Sequence, residues 1–145
     1  MVTDGCSLRI LVVDDHRDSA ITLALLLRMM GHTVHVAYDG PQAIEVAENR
    51  RPDAILLDLS LPKLNGYDTA STIREREWGK RIRIIAVSGW GEPADRLRSR
   101  ATGFDHHLVK PVDMDELVGL LSSVTPATRA DEALSQAEPQ TWPAP

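Results

Sequence analysis

Hydrophobic positions in the first 124 residues fall into two alternating patterns: short, nearly unbroken apolar runs, and longer segments whose apolar residues recur with helical spacing. The runs "LRILVV" (8–13), "AILL" (54–57) and "IRIIAV" (82–87) predict strands, the second buried on both faces. "TVHVA" (33–37) alternates polar and apolar residues, as an edge strand does, and the short "HHLV" (106–109) suits the opposite edge. Helices are predicted between them. Residues 17–30 stop at Gly31, a left-handed cap, and residues 41–50 open on Pro41 and bury Ala43, Ile44, Val46 and Ala47. Residues 67–77 carry a weaker pattern. Residues 93–102 offer only Ala94, Leu97 and Ala101 before Gly103, which predicts a loosely held helix. The last helix has the clearest start: Asp113 and Glu116 form a variant capping box ahead of Met114, Leu117, Val118, Leu120 and Leu121.

Five strands alternating with five helices predict a doubly wound α/β fold, a parallel sheet covered on both faces. The expected division is an extension at 1–7, a folded unit at 8–124 and a Pro- and Ala-rich tail at 125–145, where composition turns poor in core formers. Trp142 is the one large aromatic in that tail and reads as solvated.

Composition narrows the function. At 145 residues and 16.0 kDa there is room for one core, and a net charge of -5 supplies no basic face for nucleic acid or anionic membrane. Cys6 is the single cysteine, so an internal disulfide or thiolate zinc cluster is excluded, and a reducing cytoplasm is the expected compartment. No apolar run approaches the roughly 20 residues that span a bilayer.

The chemistry is concentrated where strands end. Asp14 and Asp15 follow the first strand, and Asp58 closes the third, where an unpaired buried charge is costly. In a sheet of order 2-1-3-4-5 the first and third strands are neighbours at the point where the winding reverses, and ligands bind at the carboxyl ends there. Three carboxylates in one crevice repel one another unless a cation joins them. An all-oxygen set favours a hard ion, Mg²⁺ or Mn²⁺, and no histidine site is expected, because His106 and His107 point to opposite faces of a strand. Ser88 ends the fourth strand and Lys110, followed by Pro111, ends the fifth. One dication and one ammonium then balance three carboxylates, leaving a neutral pocket suited to a phosphoryl group.

The acid pair in "VVDDH", the acid in "LLDLSLP" with "NG" after it, the hydroxyl in "AVSGWG" and the "KP" of "LVKPVD" stand in order, each at a strand end. Together they resemble the receiver domains of two-component response regulators, over about residues 8–123. That resemblance implies a flavodoxin-like three-layer fold with Asp58 as phosphoacceptor. It further implies direct metal binding by Asp15, Asp58 and the Ser60 carbonyl, with Asp14 acting mainly through water. Ser88 and Lys110 would contact phosphoryl oxygens, and the Lys110–Pro111 bond would be cis. The implied partners are a histidine kinase or histidine phosphotransfer protein and a downstream protein. The implied role is a switch that catalyses only its own phosphoryl transfer and dephosphorylation. Trp90 and Ser60, each two residues past a site residue, would shield the acyl phosphate, and Gly89 would leave space for the donor. The family usually carries an aromatic residue where this chain has His107. "GFDHHLVKPVDMDEL" is similar to receivers of hybrid histidine kinases, whereas the initial Met favours a stand-alone regulator; no DNA-binding module is expected in so short a tail. A haloacid-dehalogenase-like phosphohydrolase would share the Asp nucleophile but place a second Asp where Ser60 stands.

Overall fold

The computed structural model describes residues 7–61, 63–89 and 102–124. Cys6, Trp90, Trp142 and the predicted helix at 93–102, apart from Thr102, lie outside the described residues. The strands are β1 (Arg9–Val13), β2 (Thr33–Ala37), β3 (Ala54–Asp58), β4 (Arg83–Ser88) and β5 (His106–Val109). They form one parallel sheet in the order β2-β1-β3-β4-β5. β2 and β5 are the edges, as the polar–apolar alternation of the one and the shortness of the other predict. The helices are α1 (Arg17–Met29), α2 (Gly40–Arg50), α3 (Gly66–Glu75) and α4 (Met114–Ser122).

Strand side chains alternate between two cores. Ile10, Val12, Leu56, Ile85, Val87 and Leu108 pack with Ala20, Ala24 and Leu27 of α1 and with Leu117 and Leu121 of α4. Leu11, Val13, Ile55, Leu57, Ile84 and Ala86 pack with Ala43 and Ala47 of α2 and with Ala70 and Ile73 of α3. β3 is buried at every position, which explains its unbroken apolar run. Each fully buried leucine or isoleucine in these layers contributes about 1.5–3 kcal/mol through removal from water.

Helix ends follow local chemistry. Gly31 at φ 100° closes α1: its N–H donates to Arg28 O (2.9 Å), and that of His32 to Leu27 O (3.2 Å). α2 starts one residue earlier than expected, because Asp39 accepts from Gln42 N at 2.8 Å while the Gln42 side chain accepts from Tyr38 N at 2.7 Å. α3 runs from Gly66 rather than Tyr67, capped by Asn65 accepting from Asp68 N, and stops at Glu75 instead of continuing to 77. Arg76 turns extended there, and a 3₁₀ turn (Glu77–Gly79) follows. In that turn a Cβ on Gly79 would collide with the Ile73 carbonyl. Asp113 caps α4 by accepting from Asp115 N and Glu116 N, but Val118, expected on the buried stripe, is exposed. Ile44 and Val46 of α2 are only half-buried, since the two alanines occupy the contact line with the sheet.

The end of the sheet opposite the strand tips is tied by Arg74. Its guanidinium donates to the carbonyls of Gly103 (2.8 and 3.0 Å), Gly79 (2.8 Å) and Ile82 (2.6 Å) and pairs with Asp105 at 2.8 Å. Asp105 in turn accepts from Ile84 N at 2.9 Å. Arg74→Met keeps the aliphatic stem but strands these acceptors, so it should lower unfolding free energy by about 2–4 kcal/mol at unchanged denaturant m-value. Equilibrium urea unfolding measures this, and a change under 0.5 kcal/mol would show that water replaces the guanidinium freely.

Candidate functional site

The carboxyl ends of β1, β3 and β5 meet above the α1 and α4 side of the sheet. Alternation explains which residues meet there. Asp14, Asp58 and Lys110 each lie two positions beyond a residue of the α1/α4 core, namely Val12, Leu56 and Leu108, and so continue that face. Ser88 and His107 have the opposite parity, in step with Ala86 and facing away from it.

Lys110 Nζ stands 3.1 Å from Asp58 Oδ2 and 3.2 Å from Asp14 Oδ2, joining the two buried acids. The remaining oxygen of each acid is held by backbone two residues on: Asp14 Oδ1 accepts from His16 N, and Asp58 Oδ1 from Ser60 N, both at 2.9 Å. Gly66 lets the start of α3 press against the same segment, since a Cβ there would fall 2.6 Å from Asp58 O and from Leu59 Cα. Lys110 is placed by its own N–H, which donates to Ser88 O at 2.8 Å, and the Lys110–Pro111 bond is cis. Asp58, Asp14 and Lys110 rim a cavity of about 610 Å³ that runs down between α1 and the segment Pro111 to Met114.

Asp15 lies beside this group and is exposed. Its carboxylate, that of Asp14 and the His16 ring present ligand atoms within 4.8 Å of one another. His16 Nδ1 is 3.7 Å from Asp14 and 3.6 Å from Asp15, on an exposed ring. The donors fit a hard dication, because carboxylate oxygens predominate and one ammonium cannot neutralise three acids. Ser88 is buried and its hydroxyl meets His107 Nε2 at 3.0 Å, so it is brought to the strand tips but bonded toward β5. Gly89 is half-buried beside it, and Ser60 is exposed at the loop.

Burial pushes the Asp58 carboxyl above its ordinary value, with Asp14 adding to the rise against the Ser60 and Lys110 bonds. Burial disfavours the charged form of Lys110 as well, but Asp58 and Asp14 outweigh it and hold the ammonium above its ordinary range. A carboxyl raised on folding removes stability as pH climbs from its unfolded value through its folded one. Asp58→Asn should therefore raise the thermal midpoint at pH 7. The gain should vanish as pH falls below the carboxylate range. Calorimetry across pH 3–8 checks this; a midpoint lowered at pH 7 would mean that pairing with Lys110 outweighs desolvation.

The sequence family described as response regulator receiver domain matches residues 10–122. The response regulator MprA of Mycobacterium ulcerans is 32% identical over 126 residues, covering 87% of this chain and 53% of its own length. Its Mycobacterium tuberculosis counterpart is 31% identical over 127 residues, covering 88% and 54%. The chain thus spans about half the length of these curated relatives. The receiver domain of a Pseudomonas aeruginosa sensor histidine kinase, solved with magnesium in its active-site cleft, is 36% identical with a TM-score of 0.73, covering 81% of this chain and 96% of that one. The Vibrio cholerae chemotaxis protein CheY4 is 26% identical with a TM-score of 0.76, covering 83% and 100%. With the family matched across the sheet and its acidic strand tips, this chain belongs to the response regulator receiver domains of two-component signalling.

Proposed function

We propose that the unit at residues 8–124 accepts a phosphoryl group on Asp58 from a histidine kinase or histidine phosphotransfer protein, and that the modified site switches a protein-binding surface. The observation that carries this reading is the Lys110 ammonium held by both Asp14 and Asp58 at the tips of adjacent strands. A lysine so placed has a charge to neutralise and a carboxylate to orient.

An Asp58 oxygen attacks phosphorus in line as the P–N bond of phosphohistidine breaks; the electron pair leaves with the imidazole, which takes a proton. The Ser60 N–H bond to Oδ1 fixes the carboxylate plane. Lys110 moves from carboxylate to phosphoryl oxygen, neutralising charge as it accumulates. Asp14, Asp15 and Asp58, with the Ser60 carbonyl, are the groups that would hold Mg²⁺ or Mn²⁺; such an ion, when bound, supplies charge neutralisation and orientation of phosphoryl oxygens. Ser88, of the opposite parity, is the hydroxyl donor that would reach the same oxygens from the other side. Ser60 stands where a dehalogenase-type acid/base would be needed, which favours a lasting acyl phosphate and a switch over a turnover enzyme.

Incubation with acetyl phosphate and Mg²⁺ should add one phosphoryl group to the intact protein, seen by mass spectrometry and lost on hydroxylamine treatment. Asp58→Asn should abolish the addition, and labelling that persists would remove Asp58 from the role. Asp15→Asn should weaken Mg²⁺ binding at least tenfold while the domain stays folded. Titration by intrinsic fluorescence or by NMR measures this, and unchanged affinity would place the ion elsewhere.

A further inference from the structure

The open edge of the sheet at β2 carries cations on both of its faces. A groove of about 400 Å³ follows it, lined by Ile21, Val36 and Val46 and by Arg28, Arg50 and His35. Strand alternation divides these groups: Val34 and Val36 turn toward the α1 layer, whereas His35 shares the parity of Ala37 and turns toward α2. Arg28 of α1 therefore stands on one face of the edge, and Arg50 of α2 stands with His35 on the other. Among the described residues no carboxylate pairs with any of the three, although the chain as a whole has a net charge of -5. Burial, and then the charges of Arg50, Arg28 and Arg9, push the His35 imidazole below its ordinary value, as a positive field without a counter-ion does.

The backbone of β2 is open at the same place. Thr33 N donates to Leu8 O, and Ala37 O accepts from Asp14 N, so residues 33 and 37 turn their backbone groups toward β1. Those of residues 34, 36 and 38 point outward by alternation. Side chains already hold two of them: Arg28 donates to Val34 O and Gln42 Oε1 accepts from Tyr38 N, both at 2.7 Å. Val36 lies between, with its N–H and C=O both turned to the open edge. An antiparallel segment satisfies both with a single residue of its own.

We propose that the β2 edge takes an extended acidic segment of a partner protein as a sixth strand, antiparallel to β2, with one acid toward Arg50 and His35 and the next toward Arg28. The added residue opposite Val36 is apolar and packs on the side of Ile21. The next lies opposite His35 and the one after opposite Val34, so a period of two sends consecutive carboxylates to the two cationic faces. Main-chain bonds supply affinity in such an addition, and alternate side chains supply selectivity. Occupancy of this edge requires no chemistry at Asp58.

The probe is the end-blocked octapeptide Thr-Thr-Val-Asp-Glu-Val-Thr-Thr, titrated into the full chain at low salt and followed in ¹H–¹⁵N spectra. The Val36 amide resonance should move and its exchange with solvent should slow, while the His35 pKa rises as carboxylates enter its field. Arg50→Gln lies on the exposed face of α2 and should weaken binding about two- to tenfold, as should Asn-Gln in place of Asp-Glu in the peptide. The two changes together should lose less than the product of their separate losses. Methylating the nitrogen of the first peptide valine, which removes its bond to Val36, should weaken binding by a similar factor.

Absence of saturable binding would overturn the proposal, as would equal affinity for the methylated peptide or indifference to Arg50→Gln. Displacement of the peptide by inorganic phosphate that shifts His35 and leaves Val36 unmoved would reduce the groove to a small-anion site. Peptide binding that tightens about tenfold or more when Asp131→Asn and Glu132→Gln are combined would assign the edge to the chain's own acidic residues. A dimer in sedimentation, with Val36 protected before peptide is added, would assign it to a second copy. Each of these three results excludes a partner protein as the occupant.

Discussion

Two buried carboxylates at the tips of neighbouring strands could not coexist without a positive charge between them, and Lys110 supplies it. Asp14 and Asp58 are 8% and 4% exposed, and the ammonium lies within 3.2 Å of both. Removing either acid from water without such a partner would cost several kcal/mol. The arrangement is incomplete even so, since Asp15 adds a third negative charge and a single ammonium leaves an excess. On the proposed reading, that excess would suit the strand tips to a dication and, with it, to a phosphoryl group. The fold serves this balance: it brings residues 14, 58 and 110 together by ending three parallel strands at one level.

The period of two along a strand divides the chemistry further. One parity carries the acids and lysine above the α1 and α4 core, and the other carries Ser88 and His107. A phosphoryl group on Asp58 would sit across the top of the sheet, reachable from both sides. Charge would be met by Lys110 from one side and a neutral hydroxyl donated from the other. The two flanks are linked through a single residue, because Ser88 bonds Lys110 N with its carbonyl and His107 with its hydroxyl. A rearrangement of Ser88 therefore touches the ammonium's anchor and the edge strand together.

Much of this was legible in the sequence for physical reasons. Strands buried on both faces must be continuous apolar runs, so residues 8–13, 54–57 and 82–87 announced themselves, and the alternation of runs with helices selected a parallel sheet. The acids stood out because charge at the end of a buried strand requires a partner. What stayed hidden depended on contacts between distant segments. Nothing in "RERE" marks Arg74 as the residue that ties Gly103, Gly79 and Ile82 together, because an arginine on a helix surface normally faces water. The bond between Ser88 and His107 needed the β4–β5 register, which short apolar runs do not specify. Val118 was misplaced because α4 buries only a narrow stripe, Leu117 and Leu121, against the sheet.

The two ends of the sheet are built on opposite terms, and that contrast bears on signalling. At the amino ends, charge is satisfied within the fold: Arg74 is met by four carbonyls and Asp105, Asp105 takes Ile84 N, and Asp53 takes Arg9 N at 2.8 Å. Those bonds couple α3, β1, β4 and the segment before β5, so that end has little freedom to rearrange. At the carboxyl ends the polar groups are fewer than their charges require, and each retains a second partner it could take. A sheet pinned at one end and electrostatically unfinished at the other can change its local bonding at the tips without repacking either core.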